Sequence, residues 1–370
     1  MRVLINRTDA IGDTILTMPM AIQIKKKFPD AIITFLVSAK SADMFVNHPY
    51  INDCWVYPHS KSPFGKINFL RKKFQEYHPD TYFHVGGSFL PTVFAWWKSL
   101  PFRGGLVSKW QSFLFLNKGI RQKRSVVAMH ESEYNLELLT GLSDDVSFDY
   151  ENSSESHIKF IAGEAEQYQN DLKQQLLDQK LPGDRKLIFI HPGMTGHTLN
   201  WSPRSYARLM VQMENAFPGE YTYVISFTPS DQVYLKGVED YLQSTEGASK
   251  DLKVFYLDGS KKGLRHYMGC LKGAELFVGP STGTTHLANL LGVKQVALYS
   301  PIKVQSSMRW GPLSKNNKLK IMVPDVVCGE QFQCAGRVCP YHECMSKIEV
   351  EDVIKALTEL VDNRPSGGAL

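Results

Sequence analysis

Short apolar runs alternate with amphipathic segments along the first half of the chain. Buried strands are predicted at residues 1–5, 31–37, 54–57 and 81–85. Apolar positions at helical spacing predict helices at residues 14–28, 41–46 and 68–77. Strands that alternate with helices form a mostly parallel sheet covered on both faces. The first half is therefore predicted to be one doubly wound α/β unit.

The same alternation resumes in the second half. Strands are predicted at residues 186–190, 221–226, 252–257, 274–278 and 295–298, and helices at residues 203–215, 230–242, 264–271 and after Gly279. An acidic polar stretch at residues 143–156 and a Gln/Glu-rich helix at 163–177 separate the halves. We expect an N-terminal α/β domain at 1–160, a linker helix and turn at 161–185, a C-terminal α/β domain at 186–362 and a tail at 363–370.

Residues 279–292 form the stretch around which this pattern is organised. An apolar strand leads into glycines and hydroxyls and then into a helical pattern. Such a turn presents free backbone N–H groups and the positive end of a helix dipole. With Ser281, Thr282, Thr284 and Thr285 as hydroxyl donors, the stretch predicts a phosphate or pyrophosphate site. An ordinary Ser/Thr-capped helix is the alternative.

Length and composition limit the class of protein. A chain of 370 residues with 43% hydrophobic and 21% charged residues is typical of a globular protein with two domains. No apolar run reaches the roughly eighteen residues that span a bilayer, and the N-terminus lacks the pattern of a signal peptide. We therefore expect a cytoplasmic protein. Six cysteines in such a length do not predict a disulfide scaffold.

The first turn, at residues 6–13, ends in a second candidate for chemistry. Asp13 follows Gly12 where the first strand meets the first helix, so its carboxylate is either a helix cap or a catalytic group. The turn has one glycine and lacks both Gly-x-Gly-x-x-Gly and the Walker pattern. Dehydrogenase and P-loop functions are therefore disfavoured.

Four stretches together resemble one known family. They are residues 2–13, residues 191–193 with Trp201-Ser202-Pro203, residues 281–288 and residues 129–136. Their order and spacing resemble the ADP-heptose:lipopolysaccharide heptosyltransferases, glycosyltransferase family nine. The resemblance extends from Met1 to about Ile354.

The resemblance implies a GT-B-like fold, with two Rossmann-like domains facing across a cleft, and inversion at the anomeric carbon. It places the catalytic aspartate at Asp13 and implies that no metal and no cofactor is required. The residues expected to bind the donor are Gly193, Thr195, Asp231, Ser281, Thr282, Gly283, Thr284 and His286. For Asp231, a helix-start acid is an equally good interpretation.

Two positions depart from the family pattern. Ser281 stands where members that use ADP-heptose often carry Asp, and Leu199 stands where they often carry Lys. The missing carboxylate and cation leave the donor's identity open. His197 or Arg204 could replace the cation, although both residue types also suit solvent-facing roles.

Residues 61–124 are basic and aromatic, with twelve Lys/Arg against Glu76 and Asp80. Such a surface suits an anionic glycolipid acceptor and peripheral contact with the inner membrane surface. The residues expected to bind the acceptor are Arg71, Lys72, Lys73, Arg121, Lys123 and Arg124. Nucleic acid would also fit such a surface, although we expect no nucleic-acid partner. A solvated basic face over an aromatic core is the alternative.

Four cysteines lie close together in sequence, at positions 328, 334, 339 and 344. Their spacing departs from the usual zinc patterns, so free thiols or a local bridge are favoured over zinc.

Two classes of function follow from these features. The first is an inverting glycosyltransferase that moves a sugar from a nucleoside diphosphate, with ADP-heptose favoured, to a lipopolysaccharide-like acceptor. The second is a non-catalytic nucleotide- or polyanion-binding module on the same scaffold. Asp13 favours the enzyme, because a binding module has no need of an acid there.

Overall fold

The computed structural model describes residues 1–142, 158–247, 249, 251–329 and 331–362. It divides into two compact units, Met1–Lys159 and Phe160–Leu370. Each unit contains one six-stranded sheet in which every strand pair is parallel. The predicted doubly wound α/β architecture is therefore confirmed in both halves. The predicted acidic stretch at 143–156 and the predicted tail at 363–370 lie outside the described residues.

The sheet of the first unit has the strand order β3-β2-β1-β4-β5-β6. Its strands are β1 (Arg2–Arg7), β2 (Ile32–Val37), β3 (Asp53–Val56), β4 (Thr81–Gly86), β5 (Phe102–Leu106) and β6 (Lys118–Ile120). Its helices are α1 (Ile11–Ile15), α2 (Met18–Lys27), α3 (Pro63–Tyr77), α4 (Leu90–Trp97), α5 (Trp110–Phe115) and α6 (Glu131–Glu137). Two 3₁₀ turns are formed by Ala42–Phe45 and Arg124–Val126. The strand order reverses between β1 and β4, so ligands are expected at the carboxyl ends of these strands.

The second unit repeats this topology with the order β12-β11-β10-β7-β8-β9. Its strands are β7 (Lys186–Ile190), β8 (Tyr221–Phe227), β9 (Val254–Asp258), β10 (Leu276–Pro280), β11 (Lys294–Leu298) and β12 (Leu319–Met322). Its helices are α7 (Glu164–Asp178), α8 (Pro203–Ala216), α9 (Gln232–Leu242), α10 (Gly263–Lys272), α11 (Gly283–Leu290), α12 (Ser307–Trp310) and α13 (Val350–Asp362). Four 3₁₀ turns are formed by Pro229–Asp231, Lys303–Gln305, Gly336–Val338 and Cys344–Lys347. Here the order reverses between β7 and β10.

The first helix begins earlier than predicted and is interrupted. It starts at Ile11 instead of Thr14, ends at Ile15, and is followed by a second helix from Met18. Pro19 explains the interruption, because its ring would clash with the carbonyl of Ile15 in a continuous helix. Proline is tolerated in the first turn of α2, where no intrahelical N–H bond is required. As a result, Asp13 lies inside a short helix and not before a long one.

Strand β5 and the helices around it have no clear signal in the sequence. Strand β5 reads Phe-Arg-Gly-Gly-Leu, which is neither an apolar run nor a regular alternation. A Cβ added at Gly104 would lie 2.8 Å from the ring of Phe83. Close packing against β4 therefore requires glycine where an apolar residue would have marked the strand.

The core of each unit follows from its parallel topology. The central strands β1 and β10 are almost wholly buried, since helices cover both faces of each sheet. Helix α7 packs against α10 within the second unit, where Arg265 Nη2 lies 2.7 Å from Glu164 Oε2. No helix in the described part of the chain is both long and apolar enough to cross a bilayer.

Candidate active site

The turn between β10 and α11 forms the centre of the candidate donor site. Thr282 is the N-cap residue of α11 and has an extended backbone, but among the described contacts its side chain makes no capping hydrogen bond. Its Oγ1 lies instead 2.8 Å from Thr284 Oγ1. The alternative of a Ser/Thr side-chain cap therefore does not describe α11. The first N–H groups of the helix have no side-chain acceptor at the N-cap, as an anion site requires.

One of the four predicted hydroxyl donors has a different role. Thr285 is fully buried, and its Oγ1 donates a hydrogen bond to the carbonyl of Pro280. This bond fixes the last residue of β10 to the first turn of α11, so the hydroxyl of Thr285 is not available to a ligand. Ser281, Thr282 and Thr284 precede it in the turn, and His286 lies buried on α11.

The loop after β7 lies beside this turn, because β7 and β10 are neighbours. The backbone N–H of His191 donates to Val278 O at 3.0 Å, which continues the strand pairing. Thr195 Oγ1 lies 2.9 Å from His197 Nδ1, and His197 Nε2 lies 3.3 Å from Ser281 O. His197, one of the two residues considered for the missing cation, thus links the loop of β7 to the turn of β10.

Gly193 and Asp231 meet at the same edge of the sheet. A Cβ added at Gly193 would lie 2.3 Å from Cγ of Asp231, so any side chain there would collide with the carboxylate. Asp231 Oδ2 accepts hydrogen bonds from Thr228 N at 2.8 Å and Thr228 Oγ1 at 2.7 Å. The carboxylate therefore stabilises the start of a 3₁₀ turn. Burial lowers the pKa of His191, and the charge of Asp231 opposes that effect.

The second candidate centre lies at the carboxyl end of β1. Asp13 of α1 is 24% exposed, and its Oδ1 accepts a hydrogen bond from Nη2 of Arg7, the last residue of β1. Arg7 is only 5% exposed and also donates from Nη1 to Val85 O at 2.9 Å. The sequence analysis named Asp13 as a candidate catalytic residue but gave no role to Arg7. The only sequence signal for Arg7 is that it is a basic residue at the end of a buried strand.

The loop after β1 packs closely on the end of β4. A Cβ at Gly86 would lie 2.8 Å from Asp9 Oδ2, and one at Gly87 would lie 2.3 Å from Thr8 Oγ1. Gly87 also has φ +79°, which favours glycine. Burial raises the pKa of Asp9, and the neighbouring Arg7 opposes that rise. Burial, together with the charges of Arg7 and Lys109, lowers the pKa of His84 on β4 to about 4.

The segment at 129–136 supports the interruption between α1 and α2. Asn135 Nδ2 donates to the carbonyl of Leu16 at 3.0 Å, where the helix is interrupted.

Glu131 pairs with Arg124, whose side chain is 11% exposed. Arg124 was expected to bind the acceptor, but its guanidinium is held in this intramolecular ion pair and also contacts Asn135 Oδ1 at 3.2 Å. We therefore do not include Arg124 in the acceptor surface.

Comparison with known proteins identifies the family. The profile of glycosyltransferase family 9 (heptosyltransferase) matches residues 69–335. The chain belongs to this family. The predicted family resemblance is thus confirmed.

Relatives of this family 9 chain are distant in sequence. A Haemophilus influenzae protein assigned as a glycosyltransferase by prediction is 25% identical over 320 residues, which cover 86% of this chain and 87% of that protein. Lipooligosaccharide heptosyltransferase 2 of Campylobacter jejuni is 30% identical over 91 residues, 24% of this chain and 26% of that protein.

Solved structures share the fold of the family 9 chain. E. coli ADP-heptose lps heptosyltransferase II has a TM-score of 0.74 at 19% identity, with 98% of this chain and 99% of that chain covered. E. coli heptosyltransferase WaaC, solved with ADP, has a TM-score of 0.63 at 15% identity, with 97% of this chain and 100% of that chain covered. These likenesses confirm the two-domain, GT-B-like α/β fold.

The two positions that depart from the family pattern, Leu199 and Ser281, have different surroundings. Leu199 is partly buried and packs against the core of the second unit. Arg204 pairs with Glu246 at 2.5 Å and lies 5.4 Å from the ring centroid of Tyr241. Arg204 therefore faces solvent, whereas His197 contacts the donor turn. Burial raises the pKa of Tyr299, the neighbouring Ser281 opposes that rise, and the Tyr299 hydroxyl donates to Trp310 O at 2.8 Å.

In the basic aromatic region at 61–124, Phe74 and Phe94 belong to the core, but several other rings are exposed. Trp97 and Trp110 are 59% and 71% exposed, and Trp96, Phe113 and Leu114 are also exposed. Cations lie over two of these rings, with Lys98 Nζ 4.9 Å from the Trp97 centroid and Arg121 Cζ 4.8 Å from the Phe113 centroid. The alternative of an aromatic core is therefore wrong for these side chains.

The remaining candidates for acceptor binding lie on α3 and after β6. On α3, Lys72 and Lys73 share Glu76 as a partner at 3.8 and 4.0 Å. Such exposed pairs contribute at most about 1 kcal/mol, so an anionic ligand could replace Glu76. Arg71 and Lys123 are also exposed.

All six cysteines have free thiols, so the local bridge considered for residues 328–344 is not formed. Burial raises the pKa of Cys344, and the neighbouring Cys328, Cys334 and Cys339 raise it further. Among the described residues, no three His, Cys, Asp or Glu side chains are arranged to hold a metal ion.

Proposed function

We propose that this protein is an inverting glycosyltransferase that transfers a heptose or related sugar from a nucleoside-diphosphate sugar. The favoured donor is ADP-heptose, and the acceptor is the lipopolysaccharide core or a similar anionic glycan. The observation that carries the proposal is the N-terminus of α11, which directly follows the central strand β10 and has no side-chain cap. A strand followed by an uncapped helix start is suited to a diphosphate.

The donor-binding residues act on the leaving group. As the glycosidic bond breaks, negative charge develops on the nucleoside diphosphate, and preoriented N–H and O–H donors stabilise it. In our proposal Ser281, Thr282, Gly283 and Thr284 supply these donors. Gly193, Thr195, Asp231 and His286 complete the set. The E. coli relative WaaC, solved with ADP, supports ADP as the nucleotide by analogy.

Asp13 is the proposed general base. The acceptor hydroxyl must lose a proton as it attacks the anomeric carbon, and a carboxylate within hydrogen-bond reach can accept it. A positioned base of this kind typically contributes about 10²–10⁴-fold to the rate. Direct attack inverts the anomeric configuration. We propose that the reaction requires no metal and no cofactor.

The acceptor is proposed to bind the first unit through Arg71, Lys72, Lys73, Arg121 and Lys123. The exposed rings of α4 and α5, with cations above them, suit the interfacial region of a membrane. We therefore place the enzyme at the cytoplasmic face of the inner membrane, in peripheral contact. Nucleic acid is not a proposed partner.

A non-catalytic nucleotide-binding module is the second candidate. It is favoured by Leu199, which packs into the core and supplies no charge to a diphosphate. Asp13 distinguishes the two functions, because only the enzyme requires its carboxylate.

The test is a transfer assay with purified protein. A panel of nucleotide sugars that includes ADP-heptose is incubated with heptose-deficient lipopolysaccharide core, and the product is identified by mass spectrometry. We expect transfer by the wild type, and a loss of at least about 100-fold in Asp13→Asn with unchanged ADP affinity. The matched control is Asp30→Asn, which removes an exposed carboxylate from the same unit. Nucleotide binding without transfer from any donor would support the binding module instead.

A further inference from the structure

Arg7 is a buried cation held at three points. Its Nη1 donates to Val85 O at 2.9 Å, its Nη2 donates to Asp13 Oδ1, and its Nε lies 2.9 Å from Asp9 Oδ1. The contact with Asp9 is an ion pair without a hydrogen bond, because the Nε–H does not point at that oxygen. The hydrogen bond from Arg7 to a carboxylate is therefore made to Asp13.

The environment of Arg7 keeps it charged. Burial acts to lower the pKa of Arg7, but the negative charges of Asp13, Asp9 and Glu131 outweigh burial and raise it. On the neighbouring strand, His84 has its pKa lowered to about 4 by burial and by Arg7, so it is neutral at physiological pH. The Arg7 guanidinium that faces Asp13 therefore stays charged, and its hydrogen bond to Val85 O on β4 fixes its orientation.

We infer that Arg7 is the positioning residue for Asp13. This inference rests on the proposed function, in which Asp13 is the general base. A guanidinium anchored to Val85 O holds one carboxylate oxygen of Asp13, which fixes the plane of the carboxylate. The second oxygen, Oδ2, lies outside the hydrogen bond with Arg7 and is the one that accepts the proton of the acceptor hydroxyl. Arg7 itself touches no substrate in this assignment.

The experiment compares Arg7→Gln, Arg7→Lys and Asp13→Asn in steady-state kinetics, with ADP-heptose and heptose-deficient core. Arg7→Gln is expected to lower kcat at least about 50-fold, with the donor KM within about twofold of the wild type, because the proposed donor residues belong to the second unit. Arg7→Lys should recover part of kcat, because it retains the charge but not the planar pair of donors.

The matched control is Asp9→Asn, which removes the other carboxylate beside Arg7 and leaves the hydrogen bond to Asp13. Its kcat is expected to stay within about threefold of the wild type. ADP affinity by calorimetry and thermal melting of every variant report whether the chain is folded.

The outcomes separate this inference from the proposed function. The absence of transfer by the wild type would overturn both. Retained turnover in Asp13→Asn would overturn Asp13 as the base, and with it the role of Arg7, but not the transferase function. Loss of turnover in Asp13→Asn with a normal kcat in Arg7→Gln would overturn only the role of Arg7. An equal loss of kcat in Asp9→Asn and Arg7→Gln would also overturn it, because Arg7 would then only hold the loop after β1. The role of Arg7 is supported if Arg7→Gln loses kcat at an unchanged donor KM and Arg7→Lys is partly rescued.

Discussion

His197 Nε2 lies 3.3 Å from the carbonyl oxygen of Ser281, and this contact joins the loops that follow β7 and β10. The other ring nitrogen, Nδ1, lies 2.9 Å from Thr195 Oγ1. The imidazole can keep both contacts when it is protonated, because a hydroxyl oxygen and a carbonyl oxygen both accept hydrogen bonds. Leu199 packs against the core, so His197 is the better candidate for the cation near the donor diphosphate.

His197→Ala is therefore predicted to weaken ADP binding by about 5- to 20-fold, since the variant loses a hydrogen-bonding group and the link between two loops. Isothermal calorimetry with ADP measures the effect. Arg204→Gln is the control, because Arg204 pairs with exposed Glu246 and should leave ADP affinity unchanged. The reverse ranking of the two variants would show that Arg204 supplies the cation.

Two threonines in the turn between β10 and α11 are predicted to have different roles, Thr282 in ADP binding and Thr285 in stability. Thr282→Val removes a hydroxyl from the proposed diphosphate site, so ADP affinity should fall by about 3- to 10-fold with little change in Tm. Thr285→Val removes the buried hydrogen bond to the carbonyl of Pro280 and leaves it only the longer one from Thr282 Oγ1 at 3.4 Å, which should lower stability by about 1–3 kcal/mol.

Calorimetry and thermal melting of both variants test this separation. Gly283→Ala provides a second probe of binding, because a Cβ at the first helical position crowds the approach of a phosphate. Equal affinity for ADP in Thr282→Val, Gly283→Ala and the wild type would mean that this turn does not bind the donor.

The sequence singles out Ser281 and Asp13 because both lie in turns that follow an apolar strand. Parallel strands are buried on both faces, so Ser281 stands out as the first polar position after β10, and Asp13 as an acid in the turn after β1. Their roles in donor binding and proton transfer stay predictions. The same signal was misleading for Thr285, since a hydroxyl at the start of a helix can bond to the ligand or to the preceding carbonyl. Composition alone does not separate these two roles.

The contacts of Arg7 and Arg124 could not be predicted from the sequence, for one physical reason. Both are basic residues near the ends of elements, and their roles depend on carboxylates that are distant in sequence or across a turn, such as Glu131 for Arg124. Pairing of this kind depends on tertiary packing. The prediction of one helix at residues 14–28 likewise missed the interruption at Pro19, whose ring disfavours a continuous helix through residue 15.

His84 is predicted to make stability depend on pH. Burial lowers its pKa from 6.5 to about 4, so the folded state favours the neutral ring. This contribution is fully present above about pH 6.5, and it is lost as pH falls toward 4 because the unfolded chain binds the proton first. The shift corresponds to about 3 kcal/mol at most.

Calorimetric melting of the wild type and His84→Gln between pH 4 and 8 measures this term. As the pH decreases from 6.5 to 4, the wild type should lose more stability than His84→Gln. A constant difference over that range would contradict a neutral, buried His84. The neutral amide of Gln can preserve a hydrogen bond with Asn6, whose Nδ2 lies 3.0 Å from His84 Nδ1.

The acceptor surface leads to a prediction about salt. Exchanging five cations for glutamine should raise the acceptor KM about tenfold and flatten its dependence on salt. They are the exposed Arg71, Lys72, Arg121 and Lys123 and the half-buried Lys73. The physical reason is that attraction between exposed charges is screened over about 8–10 Å at physiological ionic strength. The donor KM should not change, because the proposed donor residues belong to the second unit.

Arg124→Gln distinguishes a surface charge from a structural one. Because Arg124 is buried against Glu131, its loss should lower Tm without changing the salt dependence of the acceptor KM.

Trp97→Ala with Trp110→Ala tests the membrane part of the same surface, by cosedimentation with vesicles of phosphatidylglycerol and phosphatidylethanolamine. Binding to these vesicles should fall, while transfer to a soluble, delipidated core acceptor should stay near the wild-type rate. If the double variant sediments as the wild type does, the exposed rings of α4 and α5 do not contact the bilayer, and the cations alone account for attraction to the acceptor.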